Sequence, residues 1–167
     1  MDMLVALYKL EGVEKRLQAV RAHDITIRRA MAYERELIID WVRQTFEADA
    51  AGWAGECAVA LSSVPATCHI ATRDGEVLGF ACHDATAKGF FGPTGTDERV
   101  RGLGVGAALL VASLAAMRES GYAYAVIGAA GDHVKGFYEK VVGAVEITGS
   151  VPGIYCDRIS SAKSAAD

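Results

Sequence analysis

The sequence predicts one α/β domain of the α+β type, a mixed, mostly antiparallel twisted sheet flanked by helices on both faces. Three observations carry this expectation. Two apolar runs, Cys68 to Thr72 and Val77 to Cys82, are joined by Asp74-Gly75, a dipeptide suited to a two-residue type I′ hairpin turn. On both sides of that hairpin, runs with helical spacing of apolar residues are interspersed with short strand-like runs. A composition of 51% hydrophobic and 23% charged residues over a length of 167 fills one core, and no linker-like stretch divides it.

In chain order, Leu4 to Tyr8 reads as a short strand and Val13 to Val20 as a helix, together an extension over residues 1–23. The main domain is expected over 24–159. Ile25 to Arg29 alternates as a strand does, and Tyr33 to Phe46 carries Leu37, Ile38, Trp41, Val42 and Phe46 on one helical stripe. A second helix is expected over Ala51 to Leu61. After the hairpin, Phe90 to Thr96 is an irregular strand, because Pro93 withholds a donor and Gly92 and Gly95 invite a bulge. Gly104 to Ser120 is apolar nearly all round and should pack tightly on the sheet until Gly121 stops it. Tyr124 to Ile127 is a buried strand. Asp132 is placed to cap a last helix with Val134, Phe137 and Val141 on its stripe and Gly143 as terminator. Val145 to Thr148 and Ile154 to Ile159 read as closing strands, and 160–167 as a frayed tail.

The run Arg101-Gly102-Leu103-Gly104-Val105-Gly106 is the strongest chemical signal. Glycines let backbone N–H groups approach an anion that a Cβ would hold away, and the helix that follows adds unpaired donors and the positive end of its dipole. A phosphate ligand is therefore expected. Gly102-x-Gly104-x-x-Ala107 also matches a dinucleotide fingerprint, but Thr96-Asp97-Glu98-Arg99-Val100 before it is no apolar strand, and the next strand ends in glycine and alanine rather than an acid. The absence of Gly-Lys-Ser/Thr excludes a triphosphate loop of the Walker type.

Arg101-x-x-Gly104-x-Gly106 resembles motif A of the GNAT superfamily of acyl-CoA-dependent N-acyltransferases. A second element, Phe137-Tyr138-Glu139-Lys140-Val141-Val142-Gly143-Ala144, is similar to that family's other signature and follows in the same order. The resemblance runs from about Ile25 to Ile159. It implies a sheet splayed at the bulged strand, with acetyl-CoA in the opening and its pantetheine paired with free main chain there. It assigns cofactor contacts to Thr94, Gly95 and Thr96, to Arg101, Gly102, Leu103, Gly104, Val105 and Gly106, and to Tyr138. Many members carry an asparagine upstream of the tyrosine, where Ala130-Gly131-Asp132 stand in this chain.

Acyl transfer to an amine needs a held donor, a neutral nitrogen and help for the departing thiolate. An alkylamine of lysine-like pKa is only about 0.1% neutral at pH 7, so a base is required. Tyr138 lies at the edge of a helical stripe facing the glycine loop and is the candidate donor to the thiolate. Full transfer from a phenol near 10 to a thiolate near 8.5 is uphill by roughly 2 kcal/mol, which favours a hydrogen bond. Candidates for the base are Glu56, Asp84, His83, His69 and Asp97, with Asp84 and Glu56 taken as catalytic beside Tyr138. An uninterrupted hairpin register sets Cys68 beside Ala81 and His69 beside Phe80, so that Asp84 shares a face with Phe80, Cys82 and His69. Glu56 follows Trp53 on a short helix where the family often builds its acceptor pocket. Arg99 joins Arg101 as a candidate phosphate contact, while His23 and His133 read as exposed.

No metal site is expected, because the Cys68-His69 and Cys82-His83 pairs split over both faces of the hairpin. Cys57, Cys68, Cys82 and Cys156 lack CxxC spacing and read as reduced thiols. The formal net charge of −4, without a basic cluster, argues against nucleic acid. The start Met1-Asp2-Met3 offers no cationic signal region and no membrane span, so a cytoplasmic location is expected. The expected activity is an N-acetyltransferase moving an acetyl group from acetyl-CoA directly to a primary amine of a small molecule or peptide. A non-catalytic acyl-CoA-binding regulator is the alternative. A homodimer is expected from the N-terminal extension and the apolar closing strands.

Overall fold

The computed structural model describes residues 1–46, 52–157 and 159. Strand β1 (Met3–Ala6) is followed by helix α1 (Val13–Arg21), β2 (Thr26–Arg29), α2 (Arg35–Thr45) and α3 (Trp53–Leu61). The hairpin is β3 (Cys68–Arg73) and β4 (Glu76–His83), and then come β5 (Phe90–Thr96), α4 (Val105–Glu119), β6 (Tyr124–Ile127), α5 (Asp132–Val142) and β7 (Val145–Glu146). The strands form one seven-stranded sheet in the order β2-β3-β4-β5-β6-β1-β7, antiparallel except where β5 meets β6. Among the described residues no helix is long and apolar enough to cross a membrane.

The N-terminal segment is an interior part of this sheet. Met3 pairs with Ile127 on one side and Glu146 on the other, so β1 joins β6 to β7. The Asp2 carboxylate then accepts the Ala129 N–H at 2.9 Å, and the Asp2 amide donates to Ser150 Oγ at 2.8 Å. Residues read as an extension thus brace the loop after β6.

Turn chemistry makes the hairpin tight, with Asp74 at φ 52 and Gly75 at φ 80, as a turn with two left-handed residues requires. The register predicted beyond the turn needs correction. Thr72 pairs with Val77 but Ala71 with Gly79, so Leu78 is an extra residue, a β-bulge that shifts everything after it by one. Cys68 therefore faces Cys82, His69 faces Ala81 and Ile70 faces Phe80. One face carries Cys68, Ile70, Phe80 and Cys82 into a core with Ile38, Ile39, Val42, Cys57, Ala60 and Leu61 of α2 and α3. The other carries Ala71 and Ala81 into the core of α4.

Helix α4 is apolar all round because it is covered on two sides, by the sheet and by α1. Leu109, Leu110, Leu114 and Met117 are fully buried, each contributing roughly 2 kcal/mol through removal from water.

Three further expectations are corrected. Asp132 is the first residue of α5 and makes no side-chain cap; Gly131 holds the cap position. Tyr138 is buried, with Val134, Val141 and Val142 half-buried beside it, whereas Phe137 is 39% exposed. Gly153–Tyr155 forms a single 3-10 turn, and the described part of Ile154 to Ile159 contains no strand. Of the elements offered for self-association, β1 is paired on both edges, Val145–Glu146 forms the edge strand β7, and no strand forms in the described part of Ile154 to Ile159. Ala51 and the tail 160–167 lie outside the described residues.

Candidate active site

The opening in the sheet follows from strand pairing. Phe90 and Phe91 of β5 pair with Val126 and Ile127 of β6, and the pairing ends there although β5 continues to Thr96. On the other side, β5 keeps its partners: Gly79 faces Thr96, Phe80 faces Gly95 and Ala81 faces Thr94, with the register shifting between Ala81 and His83. Residues Gly92 to Thr96 thus turn an unpaired main-chain edge towards the gap. Gly95 is required by packing: a Cβ there would lie 2.6 Å from Phe46 Cζ.

A cavity of about 580 Å³ occupies the gap, within the range of small-molecule pockets. Gly92, Pro93 and Thr94 of β5 form one wall, with Gly128 to Gly131, Val134 and Tyr138 opposite. Trp53 and Glu56 of α3, Thr86 and Tyr155 close another side. Trp53 belongs to an aromatic group with Trp41, Phe46 and Phe80, ring centroids 5.3 to 6.3 Å apart, which makes that wall rigid and apolar.

Tyr138 is 8% exposed, and its hydroxyl makes no hydrogen bond among the described residues. Burial pushes its phenol up to about 12. It stays protonated at neutral pH and available as a donor. Against a thiolate near 8.5, complete proton transfer is now uphill by roughly 5 kcal/mol, so the geometry and burial favour hydrogen-bond donation to a developing thiolate.

The glycine loop meets α5 at Phe137, the residue next to cavity-lining Tyr138. Gly102 and Gly104 adopt φ 81 and 80, and Gly104 is the N-cap of α4 with no side chain capping the helix. The first-turn amides of Val105, Gly106 and Ala107 therefore have no intrahelical acceptor. A Cβ on Gly106 would sit 3.9 Å from Thr96 Cγ2 and 4.0 Å from Phe137 Cζ, so loop, β5 and α5 converge. Leu103 packs on the core and Val105 is buried, which fixes the loop's path. Arg101 is 70% exposed and paired with Glu98 at 3.1 Å. Arg99 is held by Asp97 at 2.9 Å and Glu76 at 3.3 Å.

Among the candidate bases, Glu56 reaches the cavity, where its carboxylate accepts a hydrogen bond from Thr86 Oγ1 at 2.5 Å. Asp84 is not brought there. It stands just past β4 at φ 56, accepting the Gly89 N–H at 2.7 Å and the Tyr122 hydroxyl at 3.0 Å, and so closes the turn into β5. The face predicted for it assumed that the alternation of β4 continues past His83, where the strand ends. Asp97 caps a 3-10 turn by accepting the Arg99 N–H, and Arg99 holds its carboxyl below the usual range. His69 and His83 share the α4 face, ring centroids 6.4 Å apart, with His69 Nδ1 at 3.2 Å from Ser113 Oγ. Burial keeps both neutral, His69 at about 3. His133 is exposed, as read, and also lines the cavity, and Thr86 and Tyr155 carried no sequence signal at all.

A family model described as the acetyltransferase (GNAT) family matches residues 29–144, and the chain belongs to that family. No curated protein sequence matches significantly. Among solved structures, a GCN5-related glucosamine N-acetyltransferase region of a fungal multi-domain GH3 β-N-acetylglucosaminidase superposes with TM-score 0.67 at 13% identity, over 84% of this chain and 19% of that one. A GCN5-related N-acetyltransferase from Sphaerobacter thermophilus gives 0.62 at 19% identity, covering 87% and 47%. A Drosophila protein gives 0.59 at 12% identity, covering 87% and 46%. At these identities the likeness is one of fold, and the chain spans half or less of each of those structures.

Proposed function

We propose that the chain is an N-acetyltransferase that binds acetyl-CoA between β5 and β6 and passes the acetyl group directly to a primary amine of a small molecule or peptide. The observation that carries this reading is Tyr138, a buried and protonated side chain whose hydroxyl has no hydrogen-bond partner among the described residues, in the cavity beside the unpaired edge of β5. Main-chain groups of Gly92 to Thr96 hold the pantetheine, and the amides from Val105 onward hold the pyrophosphate. The amine nitrogen enters past Trp53 and attacks the thioester carbonyl. Glu56 accepts the proton that the ammonium must lose, and Tyr138 hydrogen-bonds the leaving thiolate. Direct attack needs no enzyme nucleophile, which agrees with three of the four cysteines lying in the core rather than in the cavity.

Calorimetric titration with acetyl-CoA, with thiol release followed over a panel of amines, tests the reading. Micromolar binding with turnover on at least one amine class is expected. Binding with no thiol release from any amine would favour a regulator that only senses acyl-CoA, and no binding would remove the proposal.

A further inference from the structure

Cys57 of α3, Cys68 of β3 and Cys82 of β4 bring three sulfur atoms within 4.8 Å of one another, and all three side chains are 0% exposed. The bulge at Leu78 sets Cys68 directly opposite Cys82, and α3 lowers Cys57 onto the pair. A single buried cysteine is a small apolar filler. Three from separate segments, converging on one point, form a donor set. Bonds of about 2.3 Å to three sulfurs separate them by about 4 Å around a planar centre and about 3.5 Å around a pyramidal one, so closure of roughly an ångström completes such a site. Among the described residues no histidine or carboxylate joins the three sulfurs. A tetrahedral zinc site would want that fourth ligand.

Charge narrows the choice of ion. The sulfurs lie among Ala60, Leu61, Ile70 and Phe80, where a net charge costs several kcal/mol. Three thiolates carry −1 around a divalent ion and −2 around copper(I), but are neutral around a trivalent centre. We propose that Cys57, Cys68 and Cys82 form a trithiol site for a trivalent thiophilic centre of the arsenite class. Loading exchanges three As–O and three S–H bonds for three As–S and three O–H bonds, releasing three waters from As(OH)3. No oxidation state changes and no co-reactant is needed. Because the sulfurs are closed off from solvent, the nine-residue α3 must lift for entry, and loading proceeds at the rate of that local opening. The same helix carries Trp53 and Glu56, so an occupied site ties one wall of the cavity to the sheet.

The test uses the folded full chain with the exposed Cys156 replaced (Cys156→Ser), incubated with sodium arsenite and, in parallel, with copper(I). Intact-mass measurement should show one arsenic per chain with three hydrogens lost, and denatured thiol titration should find three fewer free thiols. Cys57→Ala should weaken uptake by at least about 10-fold, while circular dichroism verifies that the variant is folded. Arsenic-edge X-ray absorption on the loaded Cys156→Ser chain supplies a readout that does not depend on that variant: three sulfur neighbours and no oxygen are expected. Failure to take up arsenite, an adduct that keeps an oxygen, or uptake unchanged in folded Cys57→Ala would overturn the site. Copper(I) uptake under conditions where arsenite is refused would overturn the trivalent assignment. None of these readouts involves acetyl-CoA, so the outcome is independent of the proposed catalysis.

Discussion

At one end of the cleft a single stretch, Arg101 to Gly106, offers backbone donors at the start of α4; at the other, α3, the turn after β4, α5 and the 3-10 turn at Tyr155 each contribute one to three side chains. The first end depends on local conformation, the second on packing between distant segments. Under the proposed function the same division separates holding the acyl donor from choosing and deprotonating the acceptor. Tyr138 stands between them, with its neighbour Phe137 against the loop and its own hydroxyl in the cavity.

The largest effect should come where the two ends meet. Tyr138→Phe removes the donor to the leaving thiolate while keeping the ring that fills the wall, so kcat should fall roughly 100-fold with the acetyl-CoA dissociation constant unchanged within about 2-fold. Because burial holds this phenol at about 12, it remains protonated as pH rises to 10, and the wild-type rate should climb with the fraction of neutral amine, with no loss from tyrosine ionisation in that range. A falling basic limb that disappears in Tyr138→Phe would contradict the assignment. An equal loss of binding and turnover would instead make Tyr138 a packing residue.

At the donor end, Gly104→Val tests whether conformation rather than side-chain chemistry makes the site. Gly104 sits at φ 80, where a β-branched residue is strained by about 1–2 kcal/mol, and relief of that strain turns the first amides of α4 away. Acetyl-CoA affinity should drop about 10- to 30-fold by calorimetry. Saturating donor should restore most of the turnover.

At the acceptor end, Glu56→Gln should lower kcat/KM for the amine by roughly 10-fold, leaving donor affinity in place. The glutamine can still accept the Thr86 hydroxyl, so the wall keeps its shape. A comparable loss of acetyl-CoA affinity would show that the two ends are not separate.

The same contrast explains what could be read from the chain alone. The conformation of the glycine loop was legible because it is written in consecutive residues, and so was that of the Asp74-Gly75 turn. The bulge at Leu78 was not, since either register keeps an apolar alternation and the choice is made by what α3 and α4 offer each face. That one residue decided which of the cysteines and histidines share a face. Strand β1 was visible as a strand, but its partners, Ile127 and Glu146, lie at the other end of the chain, and nothing local announces a long-range pairing. Thr86 and Tyr155 reach the cavity by the path of loops, which no periodicity encodes.

The smallest effect is the one most diagnostic of a backbone site. Arg101 gives the family motif its charged residue, yet its side chain is 70% exposed and already paired with Glu98, itself 81% exposed. Exposed ion pairs contribute about 0–1 kcal/mol and are screened by salt, so exchanging Glu98 for a phosphate gains little. Arg101→Ala should raise the acetyl-CoA dissociation constant only about 2- to 5-fold, and the difference from wild type should shrink as ionic strength rises. Calorimetry at low and high salt measures this directly. A loss of 100-fold would mean that the guanidinium, and not the main chain around Gly104, holds the pyrophosphate, and the division between a backbone-built end and a side-chain-built end would no longer describe this cleft.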